Sequence, residues 1–217
     1  MRFLPLLPIL LLAISGCRLH AGAPERPQPV VAGYSQDVEV DSERGRIRIT
    51  ELTRGLENPW SLALLPDGNM LVSERPGRLL KLDAKGNLLA QIEGLPTIFV
   101  DGQAGLLDVV PAPDFASSKL VYLSFAKPNL RGNLAGTAVF RARLEGNALV
   151  DGKVIYEQEP KLSSGTHVGS RLVFDGRGHL FVTQGENNKR PTAQDLDKLQ
   201  GKLVRLNLDG SIPADNP

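Results

Sequence analysis

SSGTHVGSRLVFDGRGHLFVTQGE, residues 163–186, holds two short apolar runs around a tight turn. Leu172, Val173 and Phe174 form the first run, and residues 180–183 form the second. Between them, Asp175-Gly176-Arg177-Gly178 supplies the positive-φ positions that a hairpin connection needs, so the segment reads as strand, turn, strand. His167 lies on the loop entering this hairpin and Glu186 on the loop leaving it. Antiparallel pairing puts both ends of a hairpin on one side, which allows the two side chains to meet. A carboxylate that steadies an imidazole as a general base needs that placement.

Strands of the same kind recur along the chain. Residues 62–65 and 70–73 flank the turn Pro66-Asp67-Gly68-Asn69, and residues 77–82 and 88–92 follow. A second copy runs through 105–110, 120–125, 137–144 and 154–157, and a third through 172–174, 180–183 and 202–208. Leu62, Leu106 and Leu172 correspond, at spacings of 44 and 66 residues, the second lengthened by loops at 127–136 and 161–166. A four-strand unit recurring at about 40–50 residues is the pattern of a β-propeller. A β-sandwich of the same strands is the competing reading, and the repeated order of strand and Asp-Gly turn favours the propeller. Upstream, residues 38–52 alternate and read as one half-buried strand. The best helical candidate is 192–199, where Thr192 could cap a turn after Pro191. Asp67, Asp175 and Asp209 each precede glycine and read as turn formers before they read as ligands.

Composition agrees with many short strands: aromatics are 5%, while Gly (22) and Pro (16) are plentiful. A net charge of +1 makes no case for nucleic acid or an acidic partner. Residues 1–23 read as an export signal, with Arg2 as the positive end, an apolar run from Phe3 to Ile14, and small residues after it. Ile14-Ser15-Gly16-Cys17 resembles a bacterial lipobox, which would make Cys17 a lipid attachment point. Ordinary cleavage near Ala21 or Ala23 is the other reading. Cys17 is the only cysteine, so no internal disulfide and no thiolate metal site is expected. Residues 24–44 form a Pro-rich tether leading into a domain at 45–217. That domain has 173 residues, fewer than four units at about 45 residues each. A propeller truncated after three to four blades is therefore expected.

Six segments resemble the soluble quinoprotein sugar dehydrogenases that use pyrroloquinoline quinone (PQQ), in particular their periplasmic aldose sugar dehydrogenase branch. They are LENPWSL at 56–62, PDG at 66–68, DGQAGLLD at 101–108, THVGSR at 166–171, QGENN at 184–188 and LQGK at 199–202. The resemblance implies an all-β, six-bladed propeller, of which this chain matches the first part. It implies that His167 is the base that takes the proton from the sugar C1 hydroxyl as hydride passes to the quinone. It further implies that Glu186 orients that histidine, that Gln103 lines the PQQ pocket, and that Arg171 supports the pocket. Ala104 and Ser170 stand where glycine is more usual in the family, both small-for-small changes. The family holds the PQQ carboxylates and Ca²⁺ with later blades, so those groups are expected past residue 217, with no metal ligand within this chain. By itself the chain is then expected to bind PQQ weakly and to lack turnover.

The implied activity is PQQ-dependent oxidation of an aldose to its lactone outside the cytoplasm, with the electrons passed to a separate acceptor. The alternative is a lipid-anchored propeller that binds or scaffolds without catalysis. A propeller lactonase would need a metal ring of carboxylates and asparagines, which this sequence does not present. His179, in the turn at 175–178 ahead of a strand, reads as a solvated turn residue.

Overall fold

The structure, a computed structural model, describes residues 29–33, 37–163 and 165–216. The export signal and Cys17 lie outside the described residues. The chain is all-β. Its first strands are β1 (Val31–Ala32), β2 (Val38–Ser42), β3 (Gly45–Ile49) and β4 (Thr53–Arg54). Next come β5 (Pro59–Leu64), β6 (Met70–Glu74), β7 (Arg78–Leu82) and β8 (Leu88–Ile92). Then follow β9 (Leu106–Pro111), a single helical turn α1 (Phe115–Ser118), β10 (Leu120–Pro128), β11 (Ala135–Glu145) and β12 (Ala148–Glu157). The last are β13 (Leu172–Phe174), β14 (His179–Thr183) and β15 (Leu203–Asn207).

β5 to β8, β9 to β12 and β13 to β15 each form an antiparallel sheet in which every strand pairs with its neighbour in sequence. β1 pairs with β4, and β2 with β3. The aspartates make the turns. Asp175 Oδ1 accepts the backbone N–H groups of Arg177 and His179, and Asp67 and Asp209 do the same for Asn69 and Ser211. Each such side chain stands in for a backbone acceptor where the chain reverses.

Alternation then sets the packing. Leu71, Leu79 and Ile92 of the first sheet meet Leu106, Val121, Leu123 and Phe125 of the second. Met70, Val72, Leu80 and Leu82 point to the other face, where Val30 and Leu56 pack on them. The second and third sheets share Tyr122, Val139, Leu172, Leu180, Val182 and Leu206, with Tyr122 meeting Phe174 edge to face at 5.1 Å. A fully buried leucine contributes about 1.5–3 kcal/mol, so these two seams hold the three sheets together.

The expectation of a propeller, six-bladed in type and cut after three to four blades, is corrected. Among the described residues the strands make five separate open sheets, and no sheet series closes into a ring or barrel. The two outer sheets keep open faces, with Leu62 and Leu64 exposed on the first and Val173 and Leu203 on the third. The repeat was a local signal. Asp-Gly turns and alternation dictate meandering hairpins, whereas closure depends on contacts between distant sheets that no turn encodes.

Two smaller readings also change. Residues 38–52 make a hairpin, not one strand, and all ten residues of its strands are exposed. Residues 192–199 form no α-helix; a short 3-10 turn stands at Arg190–Ala193 instead.

Candidate active site

Three loops converge at the seam of the second and third sheets. The loop before β9 joins the loop before β13 through backbone bonds from Gln103 and Ala104 to the Gly165 carbonyl, at 2.6 and 3.1 Å. The loop after β14 joins it from the other side, where Gly185 N donates to Val168 O at 3.1 Å and Asn187 N to His167 O at 3.1 Å. Glycine is needed at 185, because a Cβ there would collide with the His167 carbonyl. It is needed at 165 as well, where a Cβ would strike the backbone of Asp101. The Gly165 neighbourhood thus serves close backbone approach.

His167 is fixed at both ends of its peptide unit. Its N–H donates to Gln103 Oε1 at 2.8 Å, and its carbonyl accepts from Asn187. Its φ is +47°, left-handed for a non-glycine residue. The imidazole Nδ1 lies 2.5 Å from Glu186 Oε1, with 45% of the histidine side chain and 20% of the glutamate side chain exposed. The hydrogen bond to His167 holds the Glu186 carboxyl below the usual glutamate range. A charged carboxylate at Nδ1 selects the tautomer with Nδ1–H, which leaves Nε2 with a lone pair. Nε2 has no partner among the described residues. The arrangement can therefore accept a proton at Nε2 and stabilise the imidazolium that results.

Gln103 touches His167 through its amide oxygen, and its Nε2 has no partner among the described residues. Arg171 stands apart from the His167–Glu186 contact. Its Nη1 donates to Asp108 Oδ1 at 2.7 Å, and its guanidinium sits 5.0 Å from the centre of the Trp60 ring. Asp108 is fully buried and also accepts from Ser61 Oγ at 2.6 Å and Leu172 N at 2.8 Å. One carboxylate thus ties β5, β9 and the start of β13 together beside the site. Sequence reasoning did not assign Asp108 a role. Its signal was an acid inside the apolar run LLDVV, which has to find partners when that strand is buried.

Gln184 and Asn187, which flank Gly185-Glu186, are both buried. Gln184 Oε1 accepts from Tyr156 Oη at 2.8 Å, and burial pushes the Tyr156 phenol up to about 12 against the effect of that bond. Gln184 Nε2 and Asn187 Oδ1 have no partner among the described residues. His179 is elsewhere. It pairs with Asp175 at 2.8 Å in its own turn and contacts Arg205. Among the described residues, no three His, Cys, Asp or Glu side chains gather where they could hold a metal. No helix among them is long and apolar enough to cross a membrane.

The profile of the Glucose / Sorbosone dehydrogenase family matches residues 56–217. The chain belongs to the glucose/sorbosone dehydrogenase family. Within that family it is similar to the aldose sugar dehydrogenase YliI of Escherichia coli, at 51% identity over 174 residues. The match covers 79% of this chain and 47% of that one. A crystal structure of a glucose dehydrogenase superposes with a TM-score of 0.74 at 54% identity, covering 77% of this chain and 49% of the other. The PQQ-bound aldose sugar dehydrogenase of Streptomyces coelicolor gives a TM-score of 0.66 at 30% identity, over 75% and 48% of the two chains. The chain spans about half the length of these glucose/sorbosone dehydrogenase relatives.

Proposed function

We propose that His167, Glu186 and Gln103 belong to the active site of a PQQ-dependent dehydrogenase that oxidises aldose sugars to lactones. The observation that carries this reading is the 2.5 Å contact between His167 Nδ1 and Glu186, on a chain of this family. In this reading His167 Nε2 takes the proton of the sugar C1 hydroxyl. Glu186 keeps Nδ1 protonated and offsets the charge that the imidazole gains.

One donor and one proton acceptor fit a quinone and its substrate: the Gln103 Nε2 amide group can donate to a quinone oxygen, and the His167 Nε2 lone pair stays open for the sugar proton. The Nε2 atoms of His167 and Gln103 are both free among the described residues, on side chains joined by the bond from His167 N to Gln103 Oε1. PQQ, when bound, supplies the two-electron acceptor. Arg75 and Arg171 are already engaged, with the Gly102 carbonyl and with Asp108 and Trp60. Neither arginine is therefore assigned as a clamp for the PQQ carboxylates, and no Ca²⁺ site is assigned among the described residues. Arg171 serves the site as support, through Asp108. Export to the periplasm, with Cys17 as a lipid attachment point, is part of the same reading, as is an aldose substrate and a separate electron acceptor.

His167→Ala, made in a form that spans the full length of the family's enzymes and assayed with PQQ and Ca²⁺ for aldose-dependent dye reduction, is expected to lose about 10²–10⁴-fold in kcat while PQQ binding is retained. Turnover equal to the parent's would remove His167 from the reaction. Retained PQQ binding with no turnover in parent or variant would favour a binding module over an enzyme.

A further inference from the structure

The loops that carry His167 and Glu186 are gripped from behind by the second sheet. Thr137 lies on β11, and Gln158 directly follows β12; both are buried. The two are locked to each other. Gln158 N donates to Thr137 O at 2.7 Å, and Gln158 Oε1 accepts from Thr137 N at 3.2 Å. Each then reaches a different loop of the site. Thr137 Oγ1 donates to Val168 O at 2.9 Å, one residue after His167. Gln158 Nε2 donates to Gly185 O at 3.3 Å, one residue before Glu186. The same Val168 carbonyl accepts from Gly185 N.

A fully buried glutamine is costly unless its amide is bonded, and here both ends of the amide are used. The bonds fall on the peptide units next to the two reactive side chains. Those units also bond each other directly, Gly185 N to Val168 O and Asn187 N to His167 O, and Thr137 and Gln158 brace that contact from behind. A shift of Val168 against Gly185 passes directly into the separation of Nδ1 and Oε1, which is short and so sensitive to displacement. We infer that Thr137 and Gln158 are positioning residues that set the spacing of the His167–Glu186 pair. For its catalytic consequence the inference rests on the proposed role of that pair; for its structural content it does not.

Three variants test it: Thr137→Val, which removes the hydroxyl at constant shape; Thr137→Ser, which keeps the hydroxyl; and Gln158→Met, which removes the amide at similar volume. NMR follows the Nδ1-bound proton of His167 and the titration of the Glu186 carboxyl. In Thr137→Val and Gln158→Met the downfield Nδ1 proton is expected to move upfield or broaden away. The Glu186 carboxyl is expected to titrate nearer the usual glutamate range, and Thr137→Ser to restore both signals. In the PQQ-loaded enzyme, kcat is expected to fall roughly 10- to 100-fold with KM changed by less than about twofold. Parent-like Nδ1 and Glu186 signals in folded Thr137→Val and Gln158→Met overturn the inference. So does loss of the native spectrum in those two with full retention in Thr137→Ser, which would assign the hydroxyl to folding. A disturbed pair with unchanged kcat supports the positioning and removes the pair from the reaction, so the two readings fail separately.

Discussion

His167, Asn187 and Asn188 all sit in left-handed backbone, at φ +47°, +53° and +57°. Such a conformation costs an L-residue about 1–2 kcal/mol and persists only where the surroundings impose it. Here Gln103 and Asn187 impose it on His167 by bonding its N–H and its carbonyl. Charge is used differently in the turns. Burial would raise the Asp175 carboxyl, but the N–H groups of Arg177 and His179 and the imidazole of His179 outweigh it and hold the group at about 2, below 3.8. A depressed carboxyl stabilises the fold above its unfolded value and loses that contribution as pH falls through its folded value. Asp175→Asn should therefore melt below the parent at neutral pH, and the gap should close as pH falls from about 4 to about 2. A gap that stays constant across that window would place the effect in packing, not charge. The contact between His167 and Glu186 was legible from residue types and a hairpin. The support from Asp108 was not, because its partners come from three different strands.

Strands were legible wherever alternation and a turn signal occurred together. Residues 88–92 and 172–174 coincide with β8 and β13 to the residue. Residues 38–52 misled, because the alternation continues on both sides of the turn Ser42-Glu43-Arg44-Gly45, whose signal was a serine and a single glycine at φ +128°. The resulting hairpin places Val38, Val40, Ile47 and Ile49 on one exposed face. Arg46 and Arg48 pair with Asp37, Glu39 and Asp41 on the other. Exposed ion pairs of this kind add little, and a two-stranded hairpin is marginal in water. Its amides should exchange with solvent much faster than those of β10 and β11, which lie inside a four-stranded sheet. Slow exchange in β2 and β3 would mean that their apolar face is covered in solution. The stretch 192–199 fails as a helix for a related reason. Leu196, its central apolar residue, is fully out in solvent and has no surface to bury against.

The three larger sheets depend on two apolar seams, so stability is expected to be concentrated there. Leu123→Ala, in the seam of the first and second sheets, should cost about 2–5 kcal/mol in urea unfolding. Leu196→Ala should stay within about 0.5 kcal/mol of the parent. Equal effects at the two positions would deny the seam that weight. The site lies over the other seam, between the second and third sheets, where Thr137, Tyr156 and Gln158 reach across to the loops at 168 and 184–185.

By itself the sequence determined the all-β class, most strand positions, the turns, and a hairpin that delivers His167 and Glu186 to one side. All of these follow from neighbours within a few residues, through alternation, turn chemistry and antiparallel pairing. The tertiary structure alone decided that the sheets stay open, that Asp108 anchors Arg171, and that Gln103 reaches His167 through its backbone. These depend on which distant strands come into contact, and a local pattern does not carry that information. The same difference explains why the repeat suggested a truncated propeller, where the described sheets stay open and separate.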